Sequence, residues 1–174
     1  MQFSLRSEFS FLRRSWRLLA LAVSLISGCL SGIYFAANAD VTYLLMMRAV
    51  PGASVSIAGA FAAALLPFLI AAFAAFLSMP YLVFPVCFCK AFLYGACSWG
   101  VWVNYGGAAW LVGGLLQFGN LCLIPLLCWY SLRVTADAVR SLGRDFQVCC
   151  LAAAVVGIVD YCIVSPFLAM LINS

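Results

Sequence analysis

The chain has 174 residues, 67% hydrophobic and 8% charged, with a net charge of +4 and mean hydropathy +1.15. Soluble domains carry about 25% charged residues, so these cannot build a solvated surface, and the length suits one compact membrane bundle. No histidine is present, which excludes histidine triads, histidine metal sites and imidazole proton relays.

Residues 1–17 form a basic, aromatic segment in which Arg6, Arg13, Arg14 and Arg17 interleave with Phe9, Phe11, Leu12 and Trp16. Two readings fit it: a cytoplasmic lead-in that fixes topology, or an interfacial helix against anionic headgroups. Residues 18–174 are expected to form the bundle itself. Two uncharged runs, 49–89 and 91–132, are separated only by Lys90. Each is about 40 residues, twice the ~20 that cross a bilayer once, so each reads as a helical hairpin.

The first span is expected at 18–39. Ser24, Gly28 and Gly32 recur on it at four-residue spacing, a small-residue ridge that lets a second helix approach closely, inside the bundle or across a homodimer. Ala37-Asn38-Ala39 has the pattern of a signal-peptide cleavage site. The apolar core before it exceeds the usual ~7–15 residues, so an uncleaved helix is expected.

An external loop at 40–56 holds Arg48 and a Pro51-Gly52 turn. The second span is placed at 57–77, and Ser78-Met79-Pro80 turns the chain on the cytoplasmic side. A third span at 82–103 carries Lys90, and Pro80 and Pro85 suit its start. Asn104-Tyr105-Gly106-Gly107 is a turn signal, ringed by Trp99, Trp102, Tyr105 and Trp110 as an interfacial aromatic belt. The fourth span is placed at 108–132. After a charged loop, the fifth runs over 146–172, with Asp160 near its centre and Pro166 as a candidate kink.

This gives an all-α, polytopic transmembrane bundle of about five spans. Arg6, Arg13, Arg14, Arg17, Arg133, Arg140 and Arg144 then share one face. The positive-inside rule makes that face cytoplasmic, with the N-terminus inside and the C-terminus external. The same clustering is not a nucleic-acid footprint.

Lys90 and Asp160 are the ionisable groups within spans, and each costs several kcal/mol unless paired, neutralised or near water. Lys90 sits ~12 Å from the cytoplasmic end and Asp160 ~21 Å. Either the two pair, or Lys90 snorkels to the interface and leaves Asp160 alone, or Asp160 serves a transport or proton-relay role. Gln117 and Asn120, three apart on the fourth span near Gly113, Gly114 and Gly119, read as interhelical glue or as the lining of a solute path.

Catalytic patterns are missing. The nine cysteines lie within or at the edge of spans, contain no C-x-x-C and read as small apolar packing residues. Ser98 is not in a G-x-S-x-G elbow and has no histidine to activate it. Lys90 stands about two turns away from it. The expectation is a non-enzyme with no cofactor and no metal.

Three stretches carry a family resemblance: Gly28-Cys29-Leu30-Ser31-Gly32 after the basic N-terminus, Lys90-Ala91-Phe92-Leu93-Tyr94-Gly95 after a long hairpin, and Leu115-Leu116-Gln117-Phe118-Gly119-Asn120-Leu121-Cys122-Leu123-Ile124-Pro125. Together they resemble the stage II sporulation protein M family of small bacterial membrane proteins, with Gln117 where the family's proline is expected. The resemblance implies a non-catalytic scaffold in the bacterial cell membrane, whose partners are cell-wall hydrolases recruited during sporulation engulfment. The alternative is a small-solute transporter, or a transporter's substrate-binding subunit, using Lys90, Asp160, Gln117 and Asn120.

Overall fold

The computed structural model describes residues 2–39, 57–136, 142–164, 166–167 and 170, with side chains from residue 15 onward except 57, 60 and 142. Regular structure among these residues is helical, as expected where no water can satisfy an open backbone. The helices are α1 (Gln2–Ala37), α2 (Ile57–Phe76), α3 (Val83–Tyr105), α4 (Ala109–Leu116), α5 (Phe118–Ala136) and α6 (Leu142–Val159). A π-helical turn, Asp160–Val164, continues α6.

Four stretches are long and apolar enough to cross a membrane: Ser15–Ala37, Pro80–Leu116, Phe118–Ala136 and Gly143–Val164. Phe61–Phe76 is a shorter apolar helix. Drawn straight, Pro80–Leu116 would measure about 55 Å, nearly twice the ~30 Å hydrocarbon core. It is not straight. The chain enters a 3₁₀ turn at Gly106–Ala108, where Gly106 adopts φ +50°, a conformation that glycine alone takes at little cost. Beyond it Gly113 lies beside Val101, and Gln117 Nε2 donates to the Tyr94 carbonyl at 3.3 Å. Two residues 23 apart in one continuous helix would be about 34 Å apart. The contact therefore requires reversal, and α4 with α5 returns along α3. Cys87 and Ser131, sharing a hydrogen bond at 3.5 Å, extend that pairing to the far end. The reversal divides the described chain into five helical limbs, α1, α2, α3, α4 with α5, and α6.

The boundaries differ from expectation in three places, each with a local cause. No break separates residues 1–17 from the first span, because α1 runs unbroken from Gln2 to Ala37. The fourth span is two helices, interrupted at Gln117, whose φ −97° and ψ 7° leave the helical basin. Its backbone bonds still run Gln117 N–H to Gly113 O (2.9 Å) and Leu121 N–H to Gln117 O (2.8 Å), so the break bends the limb without ending it. The fifth span begins earlier, at Leu142, and widens into the π turn at Asp160; Pro166, Phe167 and Met170 beyond it are helical, whereas the external loop expected at 40–56 and residues 165, 168, 169, 171 and 172 lie outside the described residues.

The turn between α2 and α3 follows the sequence closely. Ser78 takes φ 58°, Met79 N–H donates to Ala74 O at 2.9 Å, and Pro80 opens a 3₁₀ turn. Pro85 then occupies the first turn of α3, where a missing N–H breaks no bond.

Packing has three centres. α1 and α3 run parallel and touch along most of their length, from Trp16 against Tyr81 and Phe84 to Phe35 against Phe92. A second core joins α2, α5 and α6: Phe68, Ala71, Leu127, Tyr130, Cys149 and Ala153 are buried there, with Leu21, Val83 and Cys87 completing it. Val101, Ala109 and Val112 form a small separate core under the Gly106 turn. Arg17, Arg133 and Arg144 all fall at the end of the bundle where α3 begins beside α1 and α5 meets α6.

Candidate functional site

The polar groups inside the bundle gather around the α4–α5 break. Gln117 is 3% exposed and uses both ends of its amide. Its Nε2 donates to Tyr94 O across to α3, and its Oε1 accepts from Asn120 Nδ2 at 2.7 Å. The same Tyr94 carbonyl accepts from Ser98 Oγ at 2.7 Å. One residue creates the bend and ties it to the neighbouring helix. Interhelical side-chain bonds in membranes are worth about 0.6 kcal/mol, at most ~1.7. Gln117→Leu is therefore expected to lower stability by about 1 kcal/mol in a denaturing-detergent titration, and Gln117→Glu by more, through an added buried charge.

Asp160 is the next residue in this layer. It opens the π turn, and its Oδ2 lies 3.6 Å from where a Cβ on Gly119 would stand. The bare glycine gives the carboxylate room against α5. Lys90 is half-buried on α3, one turn before Tyr94. The ion pair found among the described residues is Arg133 with Asp145, at 4.0 Å, so Lys90 and Asp160 are not paired with each other.

The small-residue positions divide sharply. Gly28 and Gly32 on α1 meet the backbone of α3. A Cβ on Gly28 would stand 2.5 Å from Phe88 O, and one on Gly32 would strike Phe92 O and Ala96 N. Gly95 is the reciprocal position, where a Cβ would strike the Cys29 carbonyl. Ser24, one turn before Gly28, turns its hydroxyl back onto Ala20 O at 2.8 Å. The ridge is thus occupied within the chain by α3. Gly113 makes only an ordinary 3.5 Å approach to Val101, and nothing lies within 4 Å of a Cβ on Gly114, so Gly114 mediates no close helix contact.

The residues assigned to topology also separate. Arg133 and Arg144 are exposed, and the Arg133 guanidinium sits over Trp129, 5.5 Å from the ring. Arg17 is buried. The side chains of Arg13 and Arg14, and all of Arg140, lie outside the described residues. In the aromatic belt, Trp102 and Trp110 are exposed as expected, whereas Tyr105 turns its ring into the small core below Gly106 and leaves its hydroxyl buried without a partner.

Sequence reasoning missed a second polar stripe on α5. Ser131 and Thr135 are both buried; Ser131 meets Cys87, and Thr135 Oγ1 donates to Ser131 O at 3.0 Å. Their spacing of four was the available signal, since two hydroxyls on one face of a membrane helix favour a helix neighbour over lipid. Tyr130 beside them is fully buried with an unpartnered hydroxyl. Among the described residues no group of three or more acids and thiols is placed to hold a metal ion. Set against family models, curated proteins and solved structures, the chain matches none of them.

Proposed function

We propose that the chain is a non-catalytic integral membrane scaffold, anchored as a multi-pass bundle in a bacterial cell membrane with its basic end in the cytoplasm. On this reading its partners are proteins of the cell envelope, and its resemblance to the stage II sporulation protein M family makes cell-wall hydrolases during engulfment the leading class. A second copy of the chain is a further candidate partner. The observation that supports a scaffold best is the use made of the intramembrane amides. Gln117 and Asn120 bond to each other and to Tyr94 O, which is helix glue and not a free lining for a solute.

One observation favours a transporter instead. Asp160 stands in a π turn, a feature frequent at functional sites, and is not paired with Lys90. Asp160→Asn separates the two readings. A scaffold carrying it inserts normally and loses no more than ~1 kcal/mol of stability, and a photocrosslinker placed within residues 40–56 still captures the same envelope partner. A carboxylate-coupled transporter carrying it loses uptake while inserting normally. Loss of uptake together with no crosslinked envelope protein in the parent chain would replace the scaffold with the transporter.

A further inference from the structure

We infer that Arg17 binds the phosphate of an anionic phospholipid headgroup at the basic end of the bundle. Arginines that only set topology stand in water, as Arg133 and Arg144 do. Arg17 does not. It lies one turn before Leu21 on the core-facing stripe of α1, is 8% exposed, and its Nε is buried with no hydrogen-bond partner. Asp145, the acid described at this end, lies 4.0 Å from Arg133, its Oδ2 without a hydrogen-bond partner, and forms no ion pair with Arg17.

A buried guanidinium with no acid beside it costs several kcal/mol unless something supplies the counter-charge. The depth of the residue says what that is. Arg17 is the last charged residue before the uncharged run 18–39, which places it at the mouth of the apolar span. Its neighbour Trp16 is exposed and packs tilted against Tyr81 and Phe84 at ring-centroid distances of 6.0 and 6.3 Å. Such aromatic shelves sit at headgroup level, where phosphate is the abundant anion, and the guanidinium fork matches phosphate oxygens two at a time. Free phosphate offers the same oxygens, but Leu18 and Leu19, exposed directly after Arg17, suit the acyl chains of a lipid.

The test uses the full chain purified in mild detergent from bilayers containing phosphatidylglycerol and phosphatidylcholine, with retained lipid read by native mass spectrometry. The parent is expected to hold one phosphatidylglycerol in preference to phosphatidylcholine. Arg17→Gln is expected to reduce that retention about fivefold, on the scale of one interfacial cation. Arg17→Lys, which keeps the charge and folds if charge alone is needed for folding, should retain an intermediate amount. Arg144→Gln, at an exposed position, should match the parent, and millimolar inorganic phosphate should leave the lipid in place. Equal retention by the parent and Arg17→Gln, or no preference for phosphatidylglycerol in the parent, overturns the site. Displacement by inorganic phosphate overturns the lipid as its occupant.

Discussion

Replacing Gly32 with alanine is expected to lower the unfolding free energy of the bundle by about 3 kcal/mol, the upper part of the range for overpacking a tight core. The added Cβ meets backbone atoms, Phe92 O and Ala96 N, which cannot rotate away as a side-chain tip would. Relief requires α1 and α3 to separate along the interface that joins them from Trp16 to Phe35. Gly95→Ala should act similarly from the other side, through the Cys29 carbonyl. Gly114→Ala is the matched control, because nothing lies within 4 Å of its Cβ. There the helix propensity of alanine should leave stability unchanged or raise it by up to ~1 kcal/mol. Thermal or denaturing-detergent unfolding of the three variants checks the pattern, and equal behaviour at Gly32 and Gly114 would contradict it.

The second large effect belongs to Tyr130. It is fully buried and holds the aromatic contacts of the α2–α5–α6 core, edge-on to Phe68 at 6.2 Å and tilted against Phe146 at 6.3 Å. Tyr130→Ala is expected to cost about 3–5 kcal/mol through the cavity it leaves. The hydroxyl contributes none of this, since its oxygen is buried without a partner. Tyr130→Phe is therefore expected to be neutral or stabilising by about 1 kcal/mol, because an unmet polar group is removed with the shape kept. Comparing the two in one unfolding assay separates packing from polarity. A loss on Tyr130→Phe close to that on Tyr130→Ala would mean that the hydroxyl carries a bond.

How much of this was legible in the sequence depends on whether a residue type carries direction. α2 and α3 fall within two residues of their expected bounds, with Pro80 in the turn between them and Gly106 ending α3. Gly28 and Gly32 could be identified as a packing ridge because only small residues admit a second backbone. The partner helix could not be identified, since lipid-facing and protein-facing apolar residues look alike in a membrane. The bend at Gln117 was hidden for a related reason. An amide is compatible with a straight helix, and only the Tyr94 carbonyl opposite reveals that it is a tether. Arg17 shows the opposite failure, an arginine whose type signals the interface while its register places it on the core stripe with Leu21. Asp160 was visible as an unusual residue, but the π turn that presents it follows from no single residue type.

The reversal at Gly106 is the central structural claim, because it decides how many times the chain crosses the bilayer. Reporter fusions at the two ends of the chain test it directly, with one reporter active only inside the cell and the other only outside. Five limbs put the two ends on opposite sides, with the N-terminal reporter inside and the C-terminal reporter outside. Both ends on one side would mean an even number of crossings, and would contradict the hairpin that joins Tyr94 to Gln117.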